Sequence, residues 1–195
     1  MSTVENKKEV PTKSFASASE WEQWLAANHA KSDGIWLHIF NKESCEKTVT
    51  YAESLEEALC YGWIDGQKKK FDSNSWIQKF TPRRAGSIWS KRNIEHIERL
   101  TNEKRMKAAG LKAFEDAKND GRIAAAYDSP SNSTTPDDFL NLLEKNNMAK
   151  VFFDSLNKAN KYAITWRLQT AKKPETREKR MNSILEMLAK SEKFH

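Results

Sequence analysis

Trp21, Trp24 and Leu25, followed by Asn28, recur at three- and four-residue steps. That spacing predicts an amphipathic helix over 18–29, opened by a Ser17–Glu20 capping box. Gly34 breaks it, and the run Ile35-Trp36-Leu37-His38-Ile39-Phe40 predicts a buried strand. A second capping box, Thr50 with Glu53, opens a helix whose buried face carries Leu55, Ala58 and Leu59 and which stops at Gly62. Trp63 to Phe71 and Ser75 to Phe80 are strand-like runs around the turn Asp72-Ser73-Asn74, a β-hairpin pattern.

From Ser90 onward the period is helical. Ser90 caps a helix carrying Ile94, Ile97 and Leu100, and Thr101 caps another that runs to about Asn119 and closes at Gly121. Asp128 to Thr135 is loop by composition, and Pro136 restarts a helix at its first position with Phe139, Leu142 and Leu143 buried. Ala149, Phe152, Phe153 and Leu156 mark a further stripe, and Tyr162 with Trp166 another. Pro174 opens the last helix, with Met181, Ile184, Leu185 and Leu188 on one face. The fold class expected is α+β: a small, three-stranded, largely antiparallel sheet packed with helices, followed by a helical C-terminal region. The expected division is a flexible tail at 1–13, an α+β domain at 14–127, a linker at 128–135 and the helical region at 136–195.

Composition narrows the class. The 195 residues hold 38% hydrophobic and 31% charged residues. No stretch has the ~18 uninterrupted apolar residues of a membrane helix, and the first residues lack a signal-peptide core. A cytoplasmic protein without a membrane span is the expectation. Cys45 and Cys60 are too few for a disulfide framework, and Cys60 reads as a small core residue. The net charge of +6 is local: residues 66–105 carry eleven Lys and Arg against four acids, and the remainder is close to neutral. Its expected partner is anionic.

That basic region overlaps the chemically densest segment, Ala58 to Asn93, which holds three of the seven tryptophans. Trp63, Trp76 and Trp89 alternate there with polar groups. Trp63, Asp65 and Gln67 share a strand face. Arg83 and Arg84 follow Pro82 and suit bidentate capture of a carboxylate or phosphate. One of them is also the expected ion-pair partner of Asp65. Trp89, Ser90, Lys91 and Asn93 stand at a helix start whose free N–H groups favour an anion. A ligand-binding set of Trp63, Asp65, Gln67, Arg83, Arg84, Trp89, Ser90, Lys91 and Asn93 is therefore expected. Nothing requires a cofactor: no glycine loop for phosphates is present. No metal is expected either. His38 has no second His, Cys or acid at metal-site spacing and is expected on the wetter face of its strand.

The runs ALCYGWIDGQ, FTPRRAGSIWSKRN and WRLQTAKKPETREKRM resemble the YdeI/OmpD-associated (OmdA, bacteriocin-protection) proteins. FASASEWEQWLAANH with GIWL, and RMKAAGLKAFEDAKNDGR, extend the resemblance over roughly residues 14–190. Lys104, where the family often has glycine, and Ile123, where an aromatic is common, depart from it. The resemblance implies a YdhG-like N-terminal domain and a helical C-terminal region, with a link to stress or antimicrobial-peptide resistance. It implies no reaction. The block around Pro174 is then either an amphipathic helix with an Arg-rich exposed face or one whose Trp166, Lys172, Thr176, Arg177 and Arg180 dock against the N-terminal domain and close the Trp89 site.

Three function classes follow. One is a protein that binds a small anionic or peptide-like ligand. Another is an enzyme that uses Asp65 with Arg83 and Arg84 on an anionic substrate; the chain has no Ser-His-Asp or Cys-His set for hydrolysis. The third is a weak, non-specific nucleic-acid binder, since Glu95, Glu98 and Glu103 interrupt the basic run and no sequence-specific nucleic-acid binding is expected. The iron chemistry of frataxin-like relatives needs an acidic ridge that the chain does not display.

Overall fold

A computed structural model describes residues 10–194. The chain divides into two compact units. The first holds the residues up to Ser87 together with Glu95–Gly121, and the second holds Ile88–Ile94 and Arg122 onward.

The first unit is built on a sheet ordered β1-β2-β4-β3. Strand β2 (Ile35–Phe40) pairs antiparallel with β4 (Ser75–Pro82), which pairs antiparallel with β3 (Trp63–Lys70). Strand β1 (Thr12–Lys13) adds to β2 in parallel, Thr12 opposite Trp36. The sheet is therefore mixed and four-stranded, not three-stranded. Thr12 and Lys13, expected in the tail, are part of it, and residues 1–9 of that tail lie outside the described residues.

Alternation along β2 sets the two faces. Ile35, Leu37 and Ile39 are buried, while Trp36, His38 and Phe40 are half-buried on the other side. Helices α1 (Ala18–Asn28) and α2 (Tyr51–Cys60) supply the aromatic and aliphatic groups that meet the buried face. Both begin at the expected caps: Ser17 accepts from the Glu20 N–H, and Thr50 with Glu53 forms a reciprocal capping box. The Trp21 ring lies 5.6 Å from Phe80, and Trp24 meets Trp63 edge-on at 5.7 Å. The indole N–H groups of Trp21 and Trp63 each have an acceptor, Ser54 O for Trp21 at 3.0 Å and His29 O for Trp63 at 3.1 Å. Satisfying those donors avoids a penalty of roughly 1–3 kcal/mol each.

Two backbone sites depend on glycine. Gly62 turns the chain out of α2 at φ 74°. Gly110, in α4 (Ala108–Asn119), lies so close to the end of α2 that an added Cβ would stand 2.3 Å from the Cys60 carbonyl oxygen. A register shift between Asp65 and Lys68 bulges β3, and the buried Gln78 amide donates to the carbonyls of Gly66 and Gln67 at 2.9 and 3.3 Å. That arrangement satisfies carbonyls which the ladder leaves unpaired.

Helix α3 (Lys91–Asn102) does not stop at Thr101 as expected. The Thr101 hydroxyl donates to the Ile97 carbonyl, so it serves its own helix instead of capping the next. Helix α4 starts later, behind Lys107, without a side-chain cap.

In the second unit, α5 (Asp137–Leu143), α6 (Asn147–Ser155), α7 (Lys158–Gln169) and α8 (Pro174–Ala189) surround Phe139, Leu143, Phe153, Ile164, Leu168, Ile184 and Leu188. Each fully buried apolar side chain of this size contributes about 1.5–3 kcal/mol. Pro136 is the cap of α5 and not its first helical residue, so the helix begins one position later than expected. The core face of α7 is Ile164 and Leu168, not Tyr162 and Trp166, and Trp166 is 36% exposed. Among the described residues, no helix is long and apolar enough to cross a membrane.

Candidate functional site

The nine expected ligand residues fall into different surroundings. Trp63 lies in the core of the first unit at 1% exposure. Asp65 accepts a 2.8 Å hydrogen bond from the Tyr51 hydroxyl. Gln67 is exposed, and the Arg83 backbone N–H donates to the Gly62 carbonyl at 3.0 Å. The Arg84 N–H donates to Ser87 Oγ at 3.0 Å, closing the turn before the second unit begins. Trp89, Ser90, Lys91 and Asn93 belong to the second unit.

There the backbone of Trp89–Lys91 runs beside Tyr127. Ser90 forms an isolated parallel bridge with Tyr127. The Lys91 N–H donates to the Tyr127 carbonyl at 2.9 Å, and the Tyr127 N–H donates to the Trp89 carbonyl at 3.0 Å. Ser90 Oγ accepts from the Asn93 N–H at 3.2 Å, so Ser90 caps α3 as its residue type predicts.

Asp128 knots this segment to α7. Its carboxylate takes the Lys91 ammonium at 2.7 Å and the Gln169 amide at 2.9 Å. Its own N–H donates to Gln169 Oε1 at 3.3 Å, and its carbonyl accepts from the Tyr162 hydroxyl at 3.2 Å. The Lys91 hydrogen bond, offset in part by burial and aided by Gln169, holds the Asp128 carboxyl below the usual carboxylate range. Burial foremost, with Tyr127 and the Asp128 charge behind it, pushes the Tyr162 phenol up.

A cleft of about 160 Å³ opens against this knot, lined by Ile88, Arg122, Ala125, Tyr127, Gln169, Thr170, Ala171 and Lys172. Tyr127 is braced edge-on by Trp166 at 6.2 Å. Thr170 donates to the Trp166 carbonyl and accepts from Arg180, whose guanidinium also donates to the Arg167 carbonyl at 2.6 Å. Arg177 is occupied elsewhere in the same unit, in a bidentate pair with Asp138 that holds the Asp138 carboxyl low. Thr176 is exposed. Of the expected closing residues, Lys172 lines the cleft, Trp166 and Arg180 touch its lining residues Tyr127 and Thr170, and Arg177 ties α8 to α5.

The first unit has a larger cleft, about 770 Å³, lined by residues 39–51 with Glu53 and Trp76. Lys42 and Lys47 stand there against Glu43, Glu46 and Glu53, so it offers no preference for an anion. The cleft beside Asp128 has Arg122 and Lys172 and no acid among its lining residues. Asp128, Gln169 and Arg122 were not picked out from the sequence. Asp128 reads as a loop residue in Asp-Ser-Pro-Ser, and the signal that marks the other two is their place inside the runs KNDGR and WRLQTAKK.

A family model described as Domain of unknown function (DUF8412) matches residues 13–113, more than half of the chain. The chain belongs to that family. Residues 132–191 match a second family model, described as Bacteriocin-protection, YdeI or OmpD-Associated, so the helical C-terminal region is similar to that family. The N-terminal region was expected to be YdhG-like; the DUF8412 match replaces that assignment. Neither a curated protein nor a solved structure matches the chain.

Proposed function

We propose that this protein binds a small anionic group, such as a phosphate or the terminal carboxylate of a peptide, in the cleft of its OmdA-type unit. The carrying observation is the pairing of Arg122 and Lys172 in a cleft whose lining includes no carboxylate. Size supports the choice. Sites for drug-sized ligands enclose about 300–1,000 Å³, so a cleft of 160 Å³ suits one anionic group and not a whole large molecule. Tyr127, held by backbone hydrogen bonds and by Trp166, offers a ring face beside that group. The Asp128 knot keeps Tyr127 and Gln169 in place, which lowers the ordering cost of binding. The bacteriocin-protection description of the matched family agrees with a peptide terminus as the natural source of the carboxylate.

The test is a thermal-shift series on the full chain with inorganic phosphate and an N-acetylated dipeptide, against an amidated dipeptide. Phosphate and the free-carboxylate dipeptide are expected to raise the melting temperature, and the amidated one is not. In Lys172→Ala the response shrinks as affinity falls by roughly tenfold or more, the worth of one charge-assisted hydrogen bond. An equal response in wild type and Lys172→Ala contradicts the assignment.

A further inference from the structure

The outer face of the sheet is covered by neither α1 nor α2, which pack on the Phe80 side. Register puts Trp36 opposite Lys79 and His38 opposite Ile77 on β2 and β4, and Lys69 of β3 opposite Ile77. All of these therefore share the outer face with Phe40. Phe71, just past β3, turns onto the same face, with its ring 4.4 Å from His38, and His38 lies 4.6 Å from Phe40. A continuous row of rings, Phe40, His38 and Phe71, results, and Phe71 is 56% exposed at its end. Lys69 and Lys79 hold their ammonium groups 4.8 and 5.7 Å from the Trp36 ring centre.

The charge of this face is unanswered. Elsewhere in the basic region, Lys91 pairs with Asp128, and Arg99 and Arg105 pair with Glu56, Glu57 and Glu103. On this face Lys69 and Lys79 have no acidic partner among the described residues, while Lys68 and Lys70 lie on the other face, opposite Gln78 and Trp76. The one acid between residues 66 and 82 is Asp72, whose carboxylate accepts the Asn74 N–H at 2.7 Å and is drawn into the hairpin turn. The exposed Phe71 ring at the end of that row, on one face with the cations Lys69 and Lys79, matches the chemistry of unpaired bases on a phosphate chain. A duplex hides its bases and admits a helix or a two-stranded ribbon into its groove, not a sheet face.

We propose that this face is a docking platform for single-stranded nucleic acid, with a base stacking on Phe71 at the end of the His38–Phe40 row and phosphates meeting Lys69 and Lys79. Binding is independent of sequence, because every base has a stacking face. The platform is distinct from the anion cleft of the other unit and does not depend on it.

Fluorescence anisotropy of the full chain with a labelled oligo-dT of about 15 nucleotides reads the proposal directly. The single strand is expected to bind more tightly than a duplex of the same length. Phe71→Ala weakens binding by roughly tenfold, and Phe71→Trp restores it. The double variant Lys69→Ala/Lys79→Ala flattens the slope of log affinity against log salt by about 1.4, two contacts at ~0.7 each. Saturating phosphate at constant ionic strength leaves binding unchanged. Four results overturn the proposal: equal binding of the duplex, equal binding by Phe71→Ala, displacement by phosphate, or displacement by polyglutamate at equal charge. The last would make the face a dock for an acidic protein.

Discussion

Two polar clusters, one in each unit, use the same groups to opposite ends. In the first unit Glu56 and Glu57 of α2 are met by Arg99 and Arg105, and Glu103 closes the ring at 2.8 Å to Arg99 and 3.4 Å to Arg105. Beside it Glu22 accepts from Tyr61 at 2.6 Å and from Lys107 at 3.1 Å; the Tyr61 hydrogen bond first, then Lys107, holds its carboxyl low. Carboxylate and cation answer each other throughout. Even the neighbouring thiol is quiet: burial, then the Glu57 charge, pushes Cys60 up to about 11, leaving it protonated at neutral pH. In the second unit Asp128 takes one cation, Lys91, while Arg122 and Lys172 line the cleft alongside without a carboxylate in its lining. A closed network stabilises; basic side chains that line a cavity free of carboxylates select a charge. Charge density alone does not separate the two, but the placement of acids does.

The largest expected effect falls on the platform of the closed network. Gly110→Ala drives a methyl into the Cys60 carbonyl and is expected to cost about 3 kcal/mol, read as a lower denaturation midpoint with no change in phosphate affinity. Next is Arg105→Ala, which strands Glu57 and leaves Glu56 to Arg99. Because the Arg105 side chain is 37% exposed, solvent screening limits the loss to about 1–2 kcal/mol. Loss of phosphate binding in Arg105→Ala, with the fold intact by circular dichroism, would erase the distinction between the clusters.

Asp128→Asn comes third, at about 1 kcal/mol, since its partner Lys91 is 60% exposed. Its pH dependence has a definite sign. A carboxyl whose folded pKa is depressed contributes stability above the ordinary value of ~3.9, and that contribution is lost as pH falls through the lower, folded value. Urea melts of wild type and Asp128→Asn should differ at neutral pH and converge in acid; a constant gap would show that Asp128 acts through shape and not charge. Smallest is Lys172→Ala, an exposed residue whose removal should change stability by no more than ~0.5 kcal/mol while weakening anion binding.

Much of the first unit was legible because its signals are local. Ser17 and Thr50 announce their helices within one turn, and the six residues Ile35–Phe40 carry both the strand and its period-two faces. The fourth strand was not legible: Thr12 and Lys13 are only two residues long, and their pairing with Trp36 and Leu37 is non-local. Thr101 misled because a hydroxyl that caps a helix also bonds well to the carbonyl four residues back. For the candidate site, the tryptophan-rich segment drew attention to Trp89, Ser90 and Lys91. Its polar organiser is Asp128, 37 residues further on from Lys91, in a stretch that reads as loop. Trp63 shows the converse, a residue with the composition of a binding site whose N–H and ring are both spent on the core.

The comparison between the clusters rests most directly on an NMR titration of the isotope-labelled full chain with inorganic phosphate at constant ionic strength. The account predicts saturable shifts in the amides of residues 122–128 and 168–172, with those around Glu56, Arg99 and Arg105 unmoved. Shifts centred on Arg99 and Arg105, or none that saturate at 122–128 and 168–172, would contradict it.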